Sequence, residues 1–190
     1  MFDPSRALRF LSVLAVLALV ACGGAGSFDG TVNGFSLSVS SSFFFPVREG
    51  SSSSEVKELV LYMSERTGIC EAFKAGNKVK DARLFAAVLS DSDVNLNRQV
   101  IAPGAYSVGQ GLAGKGVTAG LTQSDGSCAN SVAASATAGT LNLSSYGAEP
   151  GGKMNGTFDL SFAPDGEKGK GFFNAVLCDF TPGAPLMGCE

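Results

Sequence analysis

Five cysteines and no histidine set the terms of any chemistry in this 190-residue chain. Without an imidazole there is no Ser-His-Asp or Cys-His nucleophilic site, no histidine general base and no His-ligated metal. Cys22 stands apart, at the end of an N-terminal apolar run. Cys70, Cys128, Cys178 and Cys189 remain, and an even number of thiols in an exported chain reads as a disulfide framework. Four cysteines allow three pairings. We expect Cys178–Cys189, which pins the C-terminal tail, and Cys70–Cys128, which joins two loops near strand ends. A four-thiolate zinc site draws on closely spaced ligand pairs such as Cys-x-x-Cys, and the chain contains none.

Oxygen ligands and carboxylates are the other chemical resource. Asp91, Asp93 and Asn95 place oxygen donors at alternate positions, as at the start of a calcium loop. Leu96 stands where such a loop has glycine, however, and Ala102 where it has an acid. The plainer expectation is a polar loop in which Asp and Asn side chains hydrogen-bond their own backbone. Glycoside hydrolysis needs two carboxylates about 5–10 Å apart. Asp159, with Glu149 or Asp179 near it, is the available combination, and nothing in the spacing singles out a pair. Lys74, Lys78, Lys80 and Arg83 form the only basic cluster, diluted by Glu71 and Asp81, and read as a solvated loop. The formal net charge is −3, with both signs interspersed, which gives no nucleic-acid footprint. No cofactor is implied, and the chain reads as non-enzymatic.

The N-terminus says more about place than about activity. Arg6 and Arg9 outweigh Asp3, residues 10–20 are apolar except for Ser12, and Gly23-Gly24-Ala25-Gly26-Ser27 follows Cys22. The apolar run is about half of the roughly 20 residues that a membrane span needs, and its flanks are those of a processing signal. Leu19-Val20-Ala21-Cys22 resembles the lipobox of bacterial lipoproteins. That resemblance implies cleavage before Cys22, a diacylglyceryl group on its sulfur and an acyl chain on its amine. Two or three chains anchor stably where one binds only marginally. Gly23 occupies the place where an Asp commonly retains such proteins at the inner membrane, so the resemblance implies the outer membrane. The domain would then lie in the periplasm or at the cell surface. The expected division is a signal peptide over 1–21, a flexible tether over 22–27 and one domain over 28–190.

The elements that must position these residues read as strands. Phe158, Leu160 and Phe162 alternate with Thr157, Asp159 and Ser161, the period of two that marks a half-buried strand. Leu141 and Leu143 repeat it, as do Val117, Ala119 and Leu121. Further strands are expected over 56–63 and around Tyr106 and Val108. The nearly continuous apolar stretches 84–89 and 171–178 suggest central strands covered on both faces. Ala163-Pro164-Asp165-Gly166 fits a tight turn between strands over 153–162 and 169–178. Asn33-Gly34 between 28–32 and 35–39 is a hairpin cue. Asp125-Gly126 ends another strand, and Gly156 suggests a bulge. The 25 glycines are about twice the usual share of roughly 7%, as many tight turns require. One short helix is expected over 67–76. The whole reads as an all-β domain, a single antiparallel β-sandwich or flattened barrel with one short helix.

Phe43-Phe44-Phe45 has two readings. In a central strand all three are core; with one face open, Phe44 becomes an exposed contact for a partner. Beyond these residues, Gly30-Thr31-Val32-Asn33-Gly34, Pro103-Gly104-Ala105-Tyr106, Gly139-Thr140-Leu141, Gly156-Thr157-Phe158-Asp159-Leu160 and Ala175-Val176-Leu177-Cys178-Asp179 resemble small bacterial lipoproteins of unknown function. That resemblance implies a β-sandwich behind a lipobox and no catalytic residues. The expected function is a lipid-anchored, non-catalytic binding or structural protein of the cell envelope, with an envelope protein or glycan as partner. A carbohydrate-binding or adhesion module is the alternative, and a carboxylate-dependent hydrolase the third reading. A row of solvent-facing Tyr and Phe along one sheet would favour sugar binding.

Overall fold

The computed structural model describes residues 24–49, 54–109, 113–179 and 188–189. Cys22 and the leader read from residues 1–21 lie outside them. In order, the elements are β1 (Gly26–Asp29), β2 (Ser41–Arg48), β3 (Val56–Ser64), α1 (Ile69–Lys74), β4 (Asn77–Lys78), β5 (Arg83–Ser92), β6 (Gly104–Val108), β7 (Gly114–Ser124), β8 (Asn130–Tyr146), β9 (Lys153–Phe162), β10 (Glu167–Leu177) and β11 (Gly188–Cys189). The chain is all-β with one short helix among the described residues, as its alternation predicts. No described helix is long and apolar enough to cross a membrane.

The ladders run β2–β3–β5–β7–β8–β9–β10 and return to β2 through Val176 beside Phe43 and Leu177 beside Phe44. The sheet therefore closes on itself as a barrel of seven strands, which removes the free edges of an open sheet. Strands that alternate in direction around an odd-numbered ring must meet in one parallel pair, and β10–β2 is that pair. The expected purely antiparallel sheet is thus a mixed one. β6 pairs parallel with β7 and antiparallel with β8, bridging those two strands. β1 lies antiparallel along β10.

Barrels of about this size are just wide enough for side chains to fill them, and this one is filled. Phe85 stacks on Phe158 with ring centroids 4.9 Å apart, and Phe28 packs against both. Leu61, Leu89, Leu121, Leu141, Leu160 and Phe162 are fully buried around them. Gly156 makes room for a ring, since a Cβ there would lie 2.4 Å from Cζ of Phe173. It is not the bulged residue: the register slips on β8, between Leu143 and Ser145, opposite it.

Both mouths are closed by loops. Val32, Phe35 and Leu37 are buried in the interior cluster, and Arg83 lies over the Phe35 ring at 5.4 Å. The Asn33 amide donates to the carbonyls of Ala133 and Ala163, at 3.0 and 3.3 Å. Asn33-Gly34 does turn the chain, with positive φ at both residues, but only the single bridge between Val32 and Phe35 flanks it. The predicted hairpin is instead a plug, because its apolar residues are drawn into the barrel mouth. At the other end, Ile101 is buried and its N–H donates to the Val56 carbonyl at 2.9 Å. Tyr146 donates its hydroxyl to the Ile101 carbonyl at 3.0 Å.

Three further expectations are corrected. Phe44 is not an exposed contact: it points into the barrel and is fully buried, with Phe43 and Phe45 buried on the outer side of the same strand. β10 is not covered on both faces, since Phe172 and Val176 face outward and are exposed. Residues Gly26 and Ser27, expected in the tether, belong to β1, where backbone pairing with β10 orders them. The turn over 163–166 is as predicted, joining β9 to β10 with the Gly166 N–H donating to the Phe162 carbonyl at 2.8 Å.

Candidate functional site

Among the described residues the interior is filled by side chains, and a cavity lies on the outside of the barrel. Apolar residues recur on the outer face of three consecutive strands: Phe43 and Phe45 on β2, Val60 and Tyr62 on β3, Leu84 and Ala86 on β5. The ladder register sets Phe43 beside Tyr62 and Tyr62 beside Ala86, and Leu84 beside Thr122 of β7. An apolar outer face must be covered or it attracts a partner. Here α1 covers part of it. Ile69 and Ala82 join Phe43, Leu84 and Cys178 in a second buried cluster, with Tyr62, Cys70, Phe73 and Val79 packed against it.

The cover is too small to hold itself in place. A helix of six residues is far below the length at which isolated helices persist, and β4 and β11 are two residues each. Two disulfides do the holding. Cys70 on α1 is bonded to Cys178 just beyond β10, with Cα atoms 5.8 Å apart. Cys128, in the turn between β7 and β8, is bonded to Cys189, with Cα atoms 5.9 Å apart. β11 then lies parallel to β4, Gly188 beside Asn77 and Cys189 beside Lys78. Four cysteines in two disulfides are as expected, but the pairing is not. Barrel closure sets β10 against β2 beneath α1, which delivers Cys178 to Cys70. That leaves Cys189, alongside Lys78 of β4, to meet Cys128.

Between this stapled cover and the sheet is a cavity of about 270 Å³ lined by Phe45, Tyr62, Phe73, Lys78, Val79, Leu84, Ala86, Thr122 and Asn130. Its aromatic wall is ordered: Tyr62 stacks on Phe43 at 5.3 Å and meets Phe73 edge-on at 5.7 Å. Burial pushes the Tyr62 phenol above its ordinary pKa, so it is a neutral donor at physiological pH. No group of the described residues hydrogen-bonds the Tyr62 hydroxyl, the Thr122 hydroxyl, the Asn130 amide or the Lys78 ammonium. Convergent polar groups on an apolar wall are the usual composition of a small-molecule pocket. The lining has no carboxylate, so it has no general acid or base pair of the kind a glycosidase uses.

The other sequence candidates lie elsewhere. Asp93 accepts from the backbone N–H groups of Asn95 and Asn97 at 2.8 and 2.9 Å and from the Asn97 amide at 3.0 Å. These bonds, those from Asn97 foremost, hold its carboxyl below the usual range. Its oxygens thus serve the turn, as the alternative to a calcium loop anticipated, and Asp91 sits on β5 opposite Lys115. Asp125 does the same for its own turn, accepting from Ser127 and Ala129. Asp159 faces outward on β9, Glu149 lies between β8 and β9, and Asp179 follows β10. Of the basic cluster only Lys78 lines the cavity. Sequence reasoning singled out neither Tyr62 nor Phe73 as site residues. The available signal was the repeated outward aromatic on β2 and β3, which demands a cover. No family model matches this chain, and neither does any curated protein or solved structure.

Proposed function

We propose that this protein is a non-catalytic, lipid-anchored binding protein of the bacterial cell envelope, and that the cavity under α1 holds a small amphipathic ligand. The cavity carries the reading: an aromatic wall, polar groups that no described residue hydrogen-bonds and a cover fixed by both disulfides. At about 270 Å³ it is near the small end of ligand sites, which span roughly 300–1,000 Å³. Its one charged lining residue is Lys78, so an apolar body with an anionic end suits it best. Disulfides persist in oxidising compartments, which agrees with export, and the lipobox resemblance at Cys22 supplies the anchor.

Sugar binding draws less support. Sugar platforms need flat exposed rings, and Phe172 is the single exposed aromatic among the described residues. Tyr62 is stacked on Phe43 and met edge-on by Phe73, Tyr106 is buried, and Tyr146 is spent on Ile101.

Calorimetry with phenylpropionate, a ring carrying one carboxylate, tests the site. Saturable binding is expected, weakened at least tenfold by Ala86→Phe, which fills the cavity from its floor, and several-fold by Lys78→Ala. Phenylpropanol, isosteric but neutral, should bind more weakly. Absence of heat, or binding indifferent to Ala86→Phe, rejects the cavity as the site. The mass of the N-terminal peptide after expression in a bacterium tests the anchor separately, with an acylated Cys22 expected and the intact leader as the adverse result.

A further inference from the structure

The residues around the point where the chain leaves the barrel form an unusual face. On the outside of β10, Lys168, Lys170, Phe172, Asn174 and Val176 follow one another at alternate positions. Phe172 is 42% exposed and Val176 51%. Across the ladders, Ser27 and Thr157 flank Phe172, Asp29 and Asp159 flank Lys170, and Lys153 stands beside Val176. The face is therefore apolar at its centre, with both signs of charge around it. A rim of mixed sign suits a zwitterionic headgroup layer better than a partner of one charge.

What lies against this face follows from the length of chain upstream of it. Ala25 is already tied down: its carbonyl accepts from the Asn174 N–H at 3.0 Å and from the Ser42 hydroxyl. Cys22 is three residues before Ala25, a reach of at most about 11 Å even fully extended. The polar interface of a bilayer is itself roughly 5–8 Å deep on each side. A lipidated Cys22 would thus leave almost no slack, and the part of the barrel held at the headgroups is the part bonded to Ala25, which is β10 with the start of β2 beside it. The other exposed large apolar residues of the described chain, Val94, Leu96, Val100 and Val132, belong to the loop after β5 and to β8, neither of which pairs with β10.

We propose that the outer face of β10 is a membrane-contact surface, seated on phospholipid headgroups with Phe172 and Val176 entering the interface beside the acylated Cys22. This rests on the reading of Cys22 as the lipid anchor and adds to it a fixed orientation of the barrel, in place of a domain floating on a long tether. Aromatic side chains favour that depth, where one end of the ring is apolar and the surroundings are wet.

Photocrosslinking from the full chain, expressed with its leader in a bacterium, tests this. Benzoylphenylalanine is placed at position 172, or at position 118 as the control. Thr118 is exposed on β7, on the far side of the ring from β10. Both sites are solvent-facing and tolerate a larger ring without disturbing the interior, and near-ultraviolet circular dichroism verifies each fold. The expected result is phospholipid adducts at least tenfold more abundant at 172 than at 118. Equal or absent adducts at 172, in protein whose N-terminal peptide carries the acyl mass, overturn the contact surface and leave the anchor standing. An N-terminal peptide without acyl mass overturns both.

Discussion

The inside and the outside of this barrel are stabilised by different physics. The interior is one contiguous cluster, mostly Phe, Leu, Val and Ala, contributed by every ring strand and by both plugs. Burial at roughly 25 cal/mol per Å² of apolar surface is enough to hold such a cluster without covalent help. The outer layer has a cluster of five buried residues, a six-residue helix and a pair of two-residue strands. It buries too little to offset the entropy of ordering its own backbone, about 1–2 kcal/mol per residue. Both disulfides are in that layer, and neither links two strands of the ring. Covalent bonds are placed where burial fails, and the cavity opens where burial is incomplete for the same reason.

The sharpest way to break that contrast is to injure the interior. Phe85→Ala removes a fully buried ring stacked at 4.9 Å on Phe158. A loss of about 3–5 kcal/mol is expected, read as a fall in the urea midpoint with the disulfides intact. Oxidised protein as stable as the wild type after this change would mean that the cystines, not the core, hold the barrel.

The complementary injury is milder and local. Cys70→Ala with Cys178→Ala opens a loop of 108 residues and should cost about 2–4 kcal/mol. Amide exchange should rise in α1 and β4 and stay slow in β3, β5 and β7, because the outer layer opens as its own unit. Uniformly faster exchange across the ring would show that the two layers are one cooperative block. Phenylpropionate binding should fall with the same variant, since Phe73 leaves the cavity wall.

These two layers were also unequally legible in the sequence. The ring strands announce themselves because one face is buried and the other wet: Phe158, Leu160 and Phe162 alternate with Thr157, Asp159 and Ser161, and the turn after them contains Pro164 and Gly166 where a turn needs them. Where both faces are apolar the alternation disappears. That is why Phe44 could be read as either exposed or core, although Phe43 and Phe45 are outward and covered. The 171–178 stretch erred the other way, since Phe172 and Val176 look like core residues and are not. Asn33-Gly34 has the local chemistry of a hairpin turn, but Val32 and Phe35 gain more from the barrel mouth than from a ladder. The disulfide pairing was beyond reach, because it depends on which strands closure makes neighbours. Nothing near Cys178 or Cys70 encodes that β10 will lie beside β2.

The smallest effects compare two tyrosines, one in each region. Tyr106 is fully buried in the interior cluster, donates its hydroxyl to the Ala102 carbonyl at 2.7 Å and accepts from the Ala102 N–H at 3.3 Å. Tyr62 lines the cavity, and no described group bonds its hydroxyl. Tyr106→Phe at pH 8 should therefore cost about 0.5–1.5 kcal/mol. Tyr62→Phe should stay within about 0.5 kcal/mol of the wild type. Alkali adds a second axis. Burial, above all, pushes the Tyr106 phenol up to about 12, against roughly 10 in the unfolded chain. A raised folded pKa means that the neutral phenol is the form the fold favours. Its contribution is complete below about pH 10 and is lost as the pH climbs through about 12. Phenylalanine has no proton to release, so the deficit of Tyr106→Phe seen at pH 8 should narrow at pH 11. Groups remote from Tyr106 are common to both proteins and cancel in the difference. A deficit that stays constant or widens at pH 11 would mean that the Tyr106 hydroxyl is open to water after all, and the plug at that mouth of the barrel looser than the interior it closes.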